Sequence, residues 1–327
     1  MIEILTSGLM NSVQDLGRPG YLDQGIGRGG AMDRPALCIA NLLVGNAEGL
    51  AAIEVAIFPF RIRFLEPTEF AVTGAACPAS LNGAALPPWC SGSAEAGDEL
   101  RLDPPREGLR AYVAFGGGID VPSVLGSKAT DLKSVFGGLE GRALVRGDRL
   151  AMNAGTSPAA APPRSVDPCY FRDGLGGAAG GKPLTLRIMP GAEFDVFTDQ
   201  ARATLTDTTF TVSADNNRQG MRLEGPALTL TRKLELLSHG IMPGTIQVPP
   251  SGQAVIQLAE ANTCGGYPKI GHVIEPDLWK LGQAPSGATM RFEMVSRDTA
   301  IAAIRDEELR LRRLAGLLAD RSARKAG

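Results

Sequence analysis

Histidine and tryptophan are scarce in this chain of 327 residues, with two of each, and aromatic residues make up only 5%. Two histidines with no cysteine or carboxylate at ligand spacing give no pattern for a zinc site, so no metal is expected. A serine–histidine–aspartate triad is equally hard to build. His239 sits in the turn-like "LSHGIMPG" and His272 lies between Gly271 and Val273, contexts of structural or exposed histidines rather than of a general base. The five cysteines, Cys38, Cys77, Cys90, Cys169 and Cys264, are odd in number and form no CxxC pair. That fits reduced thiols in a cytoplasmic protein better than a disulfide framework. Charge is nearly balanced at −2, without the basic footprint of a nucleic-acid binder. No apolar run approaches the ~20 residues of a membrane helix. The segment "MIEILTSGLMNSVQDLG" lacks a basic stretch followed by an apolar one, so no secretory signal is expected.

What is abundant is glycine, 41 residues of it, the residue of tight turns and close backbone approach. Between the turns lie short runs rich in β-branched and aromatic residues: "FRIRFL" (60–65), "EFAVTG" (69–74), "LRAYVAF" (109–115), "LTLRIM" (184–189), "TFTVSA" (209–214), "GTIQVP" (244–249) and "AVIQLA" (254–259). Runs of about six residues punctuated by turn signals predict a mainly β chain of barrel or sandwich type. "LNGAAL" (81–86) carries an Asn-Gly hairpin pair. "AGDELRL" and "RGDRLAM" share a Gly-Asp-x-Leu turn into a strand. One short helix is expected near the N-terminus in "MDRPALCIANLLVGN" (32–46), with Asp33 as N-cap and Pro35 in the first turn. A charge-laced helical tail is expected over 297–327. A Pro/Gly-rich stretch marks a linker at 161–182, leaving domains at 1–160 and 183–296.

Several motifs fail on inspection. "VLGSKATD" places Gly-Ser-Lys where a Walker loop needs Gly-Lys. "FGGGID" (115–120) has no helix pattern directly after it and reads as a β-turn beside strand 109–115, with a backbone nest for an anion as the lesser alternative. Cys264, in "ANTCGGYPKI", has no histidine fixed nearby by sequence and reads as a small loop residue rather than a nucleophile. What remains is a set of polar residues flanked by glycine and proline: Gln14, Asp15, Arg18, Asp120, Ser127, Thr130, Asp131, Asn217, Arg218, Gln247, Gln253, Glu260, Thr263, Tyr267 and Lys269. Together they suggest a site for a small polar ligand.

In order along the chain, "VQDLGRPGY", "GGAMDRPALCIANLLVGN", "GGIDVPSVLGSKATD", "NNRQGMRLEGPAL", "HGIMPGTIQVPPSGQ" and "CGGYPKIGHVI" resemble the allophanate hydrolase subunit 2 family over about residues 1–295. The same family is called the Kip antagonist family, the family of the 5-oxoprolinase C-subunit, or the biotin-dependent carboxyltransferase-like family. The resemblance implies two cyclophilin-like β-barrel domains. It also implies membership of an ATP-dependent complex that opens 5-oxo-L-proline to L-glutamate. The implied partners are the Kip inhibitor-like B-subunit and the LamB/YcsF-type A-subunit of 5-oxoprolinase. ATP, with or without magnesium, is expected at the level of the complex.

On this reading Lys269 and Arg218 neutralise charge developing on oxygen, and Glu260 or Asp120 handles protons. Gln247, Gln253, Asn217, Tyr267 and Thr263 bind a small amide. Two alternatives stay open. One is carboxyl transfer from carboxybiotin to urea or another amide. The other is a purely regulatory role toward a Kip inhibitor-like partner. The family's Asp-x-Gln-Thr-Thr-Gly-Gly-Tyr-Pro stands here as Glu260 to Pro268, with Asn262 for Gln and Cys264 for Thr.

Overall fold

The computed structural model describes residues 1–154, 163–172 and 181–323. The chain divides into two compact units, one of residues 1–18, 29–174 and 308–327, the other of residues 19–28 and 175–307. Parts of the expected linker, 173–180, and the last residues of the tail, 324–327, lie outside the described residues, as do 155–162.

The first unit holds two antiparallel sheets. One runs in the order β11 (Ile119–Asp120), β12 (Arg149–Met152), β1 (Ile2–Thr6), β4 (Phe60–Phe64), β9 (Glu99–Leu102), β6 (Ala79–Leu81) and β7 (Ala84–Leu86). The other runs β2 (Ser12–Gln14), β3 (Ala52–Val55), β10 (Ala111–Phe115), β5 (Thr68–Gly74) and β8 (Cys90–Ala94). Alternation explains the core: Phe60, Ile62 and Phe64 of β4 pack with Phe70 and Val72 of β5 and with Val113 and Phe115 of β10. Each such buried side chain contributes about 1.5–3 kcal/mol. The Asn-Gly hairpin forms as expected, with Asn82 and Gly83 both at positive φ between β6 and β7. The two Gly-Asp turns are alike: Asp98 accepts from the Glu95 N–H and Asp148 from the Val145 N–H, each feeding the strand that follows.

Helix α1 (Arg34–Leu43) forms where the sequence places it, because Asp33 accepts from the Ala36 N–H and Pro lies in the first turn. Such a cap is worth about 1 kcal/mol. Its apolar face, with Leu37, Ile39, Ala40 and Leu43, builds a second core with Tyr112 of β10 and Trp89. Gly74, at the end of β5, lets that strand meet the start of β10: its φ is +93° and a Cβ there would lie 2.4 Å from the Arg110 carbonyl oxygen. Residues 163–172, expected as linker, pack on this unit instead. Ser165 bridges to Cys90, Phe171 is buried, and Arg172 pairs with Asp33 and stacks on Trp89.

The second unit is a closed seven-stranded barrel, ordered β13 (Leu184–Pro190), β20 (Lys269–Val273), β17 (Thr245–Gln247), β18 (Val255–Gln257), β15 (Gly220–Glu224), β14 (Phe210–Asn216) and β21 (Thr289–Met294). All neighbours are antiparallel except β13 and β21, whose parallel pairing closes the ring. Leu186, Ile188, Ile246, Ile256, Ile270, Met290 and Phe292 are buried. A small pair, β16 (His239–Gly240) with β19 (Cys264–Gly265), stands apart from the barrel sheet. Helices α2 (Asp199–Asp207) and α3 (Leu278–Gln283) have no counterpart in the sequence expectations. Polar residues fill most of α2, and α3 spans under two turns, so neither carries a long apolar period. Residues 19–28 belong to this unit and are tied to it by Arg28 on Glu275 at 3.1 Å. The tail forms helix α4 (Arg297–Ala323), whose residues from 308 onward belong to the first unit, with Leu314 and Leu318 part of its helical core.

Candidate functional site

Strands β17 and β18 carry matched triplets, Thr-Ile-Gln and Val-Ile-Gln, and pair antiparallel with Ile246 opposite Ile256. Because alternate side chains point to opposite faces, burying the two isoleucines in the barrel turns Gln247 and Gln257 to the other face. There the Gln257 amide donates to Gln247 Oε1 at 3.0 Å, and Gln247 Nε2 reaches toward the Tyr267 carbonyl at 3.5 Å. Both glutamines are nevertheless buried. The cover over Gln247 comes from β19: a Cβ on Gly265 would fall 2.7 Å from Gln247 Nε2. The stretch "ANTCGGYPKI" is thus a short strand and turn laid over polar side chains, with Cys264 exposed.

Lys269 opens β20 directly opposite Gln247, at a register shift between Ile246 and Gln247. Its side chain is only 7% exposed. Loss of water around the ammonium pushes the Lys269 pKa down, opposed by the nearby Glu193 carboxylate. Glu193 is delivered by the turn after β13. Gly191 lets that turn touch β20, since a Cβ there would lie 2.2 Å from the Lys269 carbonyl oxygen. Glu193 Oε2 accepts from the Lys269 backbone N–H at 2.9 Å and lies 4.0 Å from its Nζ. His239 of β16 completes the group, with Nε2 at 2.5 Å from Lys269 Nζ and 3.3 Å from Glu193 Oε1.

Arg218 and Glu260 form a second cluster. Arg218 sits in the turn between β14 and β15, where Asn217 Oδ1 accepts from the Gln219 and Gly220 N–H groups. The Arg218 Nε donates to Glu260 Oε1 at 2.5 Å, and the Glu260 N–H donates to the Arg218 carbonyl at 2.8 Å. Both side chains are buried.

The residues singled out from the sequence therefore fall into distinct places. Lys269 and Gln247 come together, with the Tyr267 backbone beside them and its side chain exposed. Thr263 accepts the Ile241 N–H through its carbonyl, at the edge of the β16–β19 cover. Arg218 and Glu260 meet each other, and Asn217 caps their turn. Gln253 is not with them. It precedes β18, roughly 13 Å of strand from Gln257 at ~3.3 Å per residue. It donates to the Gly225 carbonyl and lines a shallow depression of about 300 Å³ with Ser213, Arg222 and Glu224. Asp120 belongs to the first unit, exposed, 4.0 Å from Lys128.

In that unit Asp15 accepts from Ser127 Oγ and from the Lys128 N–H. Gln14 donates to the Thr130 carbonyl, and Thr130 Oγ1 donates to the Val13 carbonyl. Arg18 donates to the Ala129 carbonyl and stacks on Phe136, and Asp131 accepts from the Ser134 N–H.

Sequence reasoning missed Gln257 and Glu193, and it set His239 aside as a structural or exposed histidine, whereas the structure places its ring against Lys269 and Glu193. Gln257 had a signal, a lone amide inside an apolar strand run. Glu193 had none, and the scarcity of histidine could not reveal the role of His239, because only folding brings residues 193, 239 and 269 together. Among the described residues no group of three His, Cys, Asp or Glu could hold a metal ion, and no helix is long and apolar enough to cross a membrane.

Known proteins share this architecture. Residues 24–294 match the carboxyltransferase domain, subdomain A and B. The chain is 39% identical to the C-subunit of 5-oxoprolinase from Escherichia coli, over 96% of this chain and 98% of that protein. Its identity to the corresponding Haemophilus influenzae C-subunit is 36%, over 95% and 96%. It superposes on the crystal structure of the K. lactis urea amidolyase with a TM-score of 0.88 at 27% identity, covering 96% of this chain and 20% of that one. This chain is a member of the carboxyltransferase domain, subdomain A and B, family.

Proposed function

We propose that the protein is one component of an ATP-dependent amidohydrolase complex of the 5-oxoprolinase type, which opens 5-oxo-L-proline to L-glutamate with release of ADP and phosphate. The observation that carries this reading is the near full-length similarity to the Escherichia coli C-subunit. A buried lysine opposite a pair of side-chain amides gives it chemical sense. Its partners would be the Kip inhibitor-like B-subunit and the LamB/YcsF-type A-subunit, in a cytoplasmic hetero-oligomer.

A lactam carbonyl is a poor electrophile, and ATP would supply its activation at the level of the complex. The two buried cations of this site are a poor fit for a triphosphate, because Arg218 faces Glu260 and Lys269 faces Glu193. ATP, with any magnesium at its phosphates, is therefore assigned to the complex. The role of this chain is to hold the small amide. The Lys269 ammonium, largely removed from water, neutralises charge developing on the carbonyl oxygen, and preorganised donors of this kind are often the largest catalytic term. Gln247 and Gln257, already hydrogen-bonded to each other, carry the amide donors and acceptors that match a lactam N–H and C=O, and binding would exchange part of that pairing for the ligand. Geometry favours these three over Glu260, which is engaged by Arg218, and over Asp120 beside Lys128.

Carboxyl transfer from carboxybiotin to urea is the second reading, supported by the likeness to the K. lactis urea amidolyase. Reconstitution with the partner proteins decides between them. We expect ATP hydrolysis and glutamate formation with 5-oxoproline, and at least a ~100-fold loss in Lys269→Ala. Turnover that requires urea and biotin, or an unimpaired Lys269→Ala complex, would overturn the proposal.

A further inference from the structure

Residues 193, 239 and 269 hold more than a fixed charge. The His239 ring is oriented from both sides. Its Nδ1 lies 3.1 Å from the Leu237 carbonyl oxygen and 3.4 Å from Lys269 Nζ. The carbonyl can only accept, and the ammonium lies nearer Nε2, so the tautomer that satisfies both contacts carries its hydrogen on Nδ1 and leaves Nε2 as the variable position. Nε2 in turn faces two unlike groups, the Lys269 ammonium at 2.5 Å and Glu193 Oε1 at 3.3 Å. With a charged lysine, Nε2 must be a bare acceptor. With a neutral lysine, Nε2 can be protonated and donate to Glu193. Lysine and imidazole cannot both be protonated at that separation, so the two share one exchangeable proton.

Exposure supplies the direction. Lys269 is 7% and Glu193 13% exposed, whereas the His239 ring is 40% exposed. The ionisable groups in contact with Lys269 are thus His239 from β16 and Glu193 from the turn after β13, and Gln247 across the strand pair is uncharged. Desolvation, which holds the Lys269 pKa below its ordinary value, eases release of its proton.

We propose that His239 is a proton-relay residue that recharges Lys269 from solvent, with Glu193 positioning both. This rests on the reading of Lys269 as the group that meets the reacting amide. When Lys269 gives a proton to the substrate nitrogen or oxygen, an N–H bond of Nζ breaks and a neutral amine remains. Solvent acid then protonates His239 Nε2, and the imidazolium passes that proton to the Nζ lone pair and returns to its Nδ1–H tautomer. One proton moves from solvent to lysine, and the charge of the resting cluster is restored.

The test uses the full chain in its reconstituted complex and, separately, the isolated chain. General acid–base groups are worth 10²–10⁴-fold. Because water can partly substitute for a relay, His239→Gln is expected to lower kcat at least ~10-fold with KM within about twofold. His239→Gly should regain rate with added imidazole, saturably, which a merely structural histidine would not. In the isolated chain only two histidines give ring C–H signals. The His239 signal should move at alkaline pH in a step that reports Lys269 ionisation, and that step should vanish in Lys269→Met. A fully active His239→Gln complex, with Lys269→Ala inactive, overturns the relay alone. Activity retained in Lys269→Ala overturns the underlying reading as well. Absence of the alkaline step in the wild-type chain overturns the shared proton.

Discussion

Glu260→Ala removes the carboxylate from a guanidinium almost wholly out of water, since the Arg218 and Glu260 side chains are 2% and 4% exposed with Nε 2.5 Å from Oε1. With charge centres about 4 Å apart and an effective dielectric near 20, their attraction is about 4 kcal/mol. Breaking a buried pair from one side typically costs about 3–5 kcal/mol, because the other charge stays buried. The backbone bond from Glu260 N–H to the Arg218 carbonyl survives the change, so the loss belongs to the side chains. Against domain stabilities of about 5–15 kcal/mol, it is large. Urea unfolding followed by tryptophan fluorescence measures it cleanly. The chain has two tryptophans, Trp89 in the first unit and Trp279 in the second. In a Trp89→Phe background, Trp279 alone reports the barrel. At a slope of about 2 kcal/mol per molar urea, the midpoint should fall by about 2 M. The paired replacement Arg218→Met with Glu260→Leu should recover most of it, since no charge is left buried. A shift under about 0.5 M for Glu260→Ala, or a double variant weaker than the single one, would refute the reasoning.

Burial pushes the His272 pKa below its ordinary 6.5, partly opposed by Glu275. The unfolded chain therefore binds the proton more readily, and stability present above pH ~6.5 declines as pH falls toward the folded value. His272→Gln should flatten this acid-side loss in the Trp279 signal, and an unchanged pH slope would count against it. Thiol chemistry gives another check. Burial pushes Cys77 up to about 12 and Cys90 up to about 11, while Cys169 and Cys264 are exposed. At pH 8 a disulfide reagent should label two thiols rapidly, and Cys264→Ser should leave one. Rapid labelling of Cys77 would contradict its burial.

Most strands could be read directly from the sequence. "FRIRF", "AYVAF" and "LTLRIM" alternate or saturate with apolar residues, and each forms a strand with its core face buried. The N-terminal helix announced itself through Asp33 and Pro35, because a cap and a first-turn proline act within four residues of one another. Helix α2 did not, since its stability comes from Ala201 and Leu205 docking on the fold rather than from an apolar period. The stretch 163–172, rich in turn formers on paper, is held by Arg172, which donates to the Gly74 carbonyl and to Asp33, 98 and 139 residues away.

Local pattern, acting over a few residues through side-chain alternation, capping and turn chemistry, was enough to specify a β-rich chain with polar residues at its strand ends. It could also nominate Lys269, Gln247, Arg218 and Glu260 as candidates. Which of them face each other was decided only by tertiary structure. Barrel closure sets Gln247 opposite Lys269, Gly191 brings Glu193 up to the same strand, and β16 carries His239 over it. Those contacts join segments about twenty to eighty residues apart, and no short-range rule relates their side chains until the sheet registers bring them together.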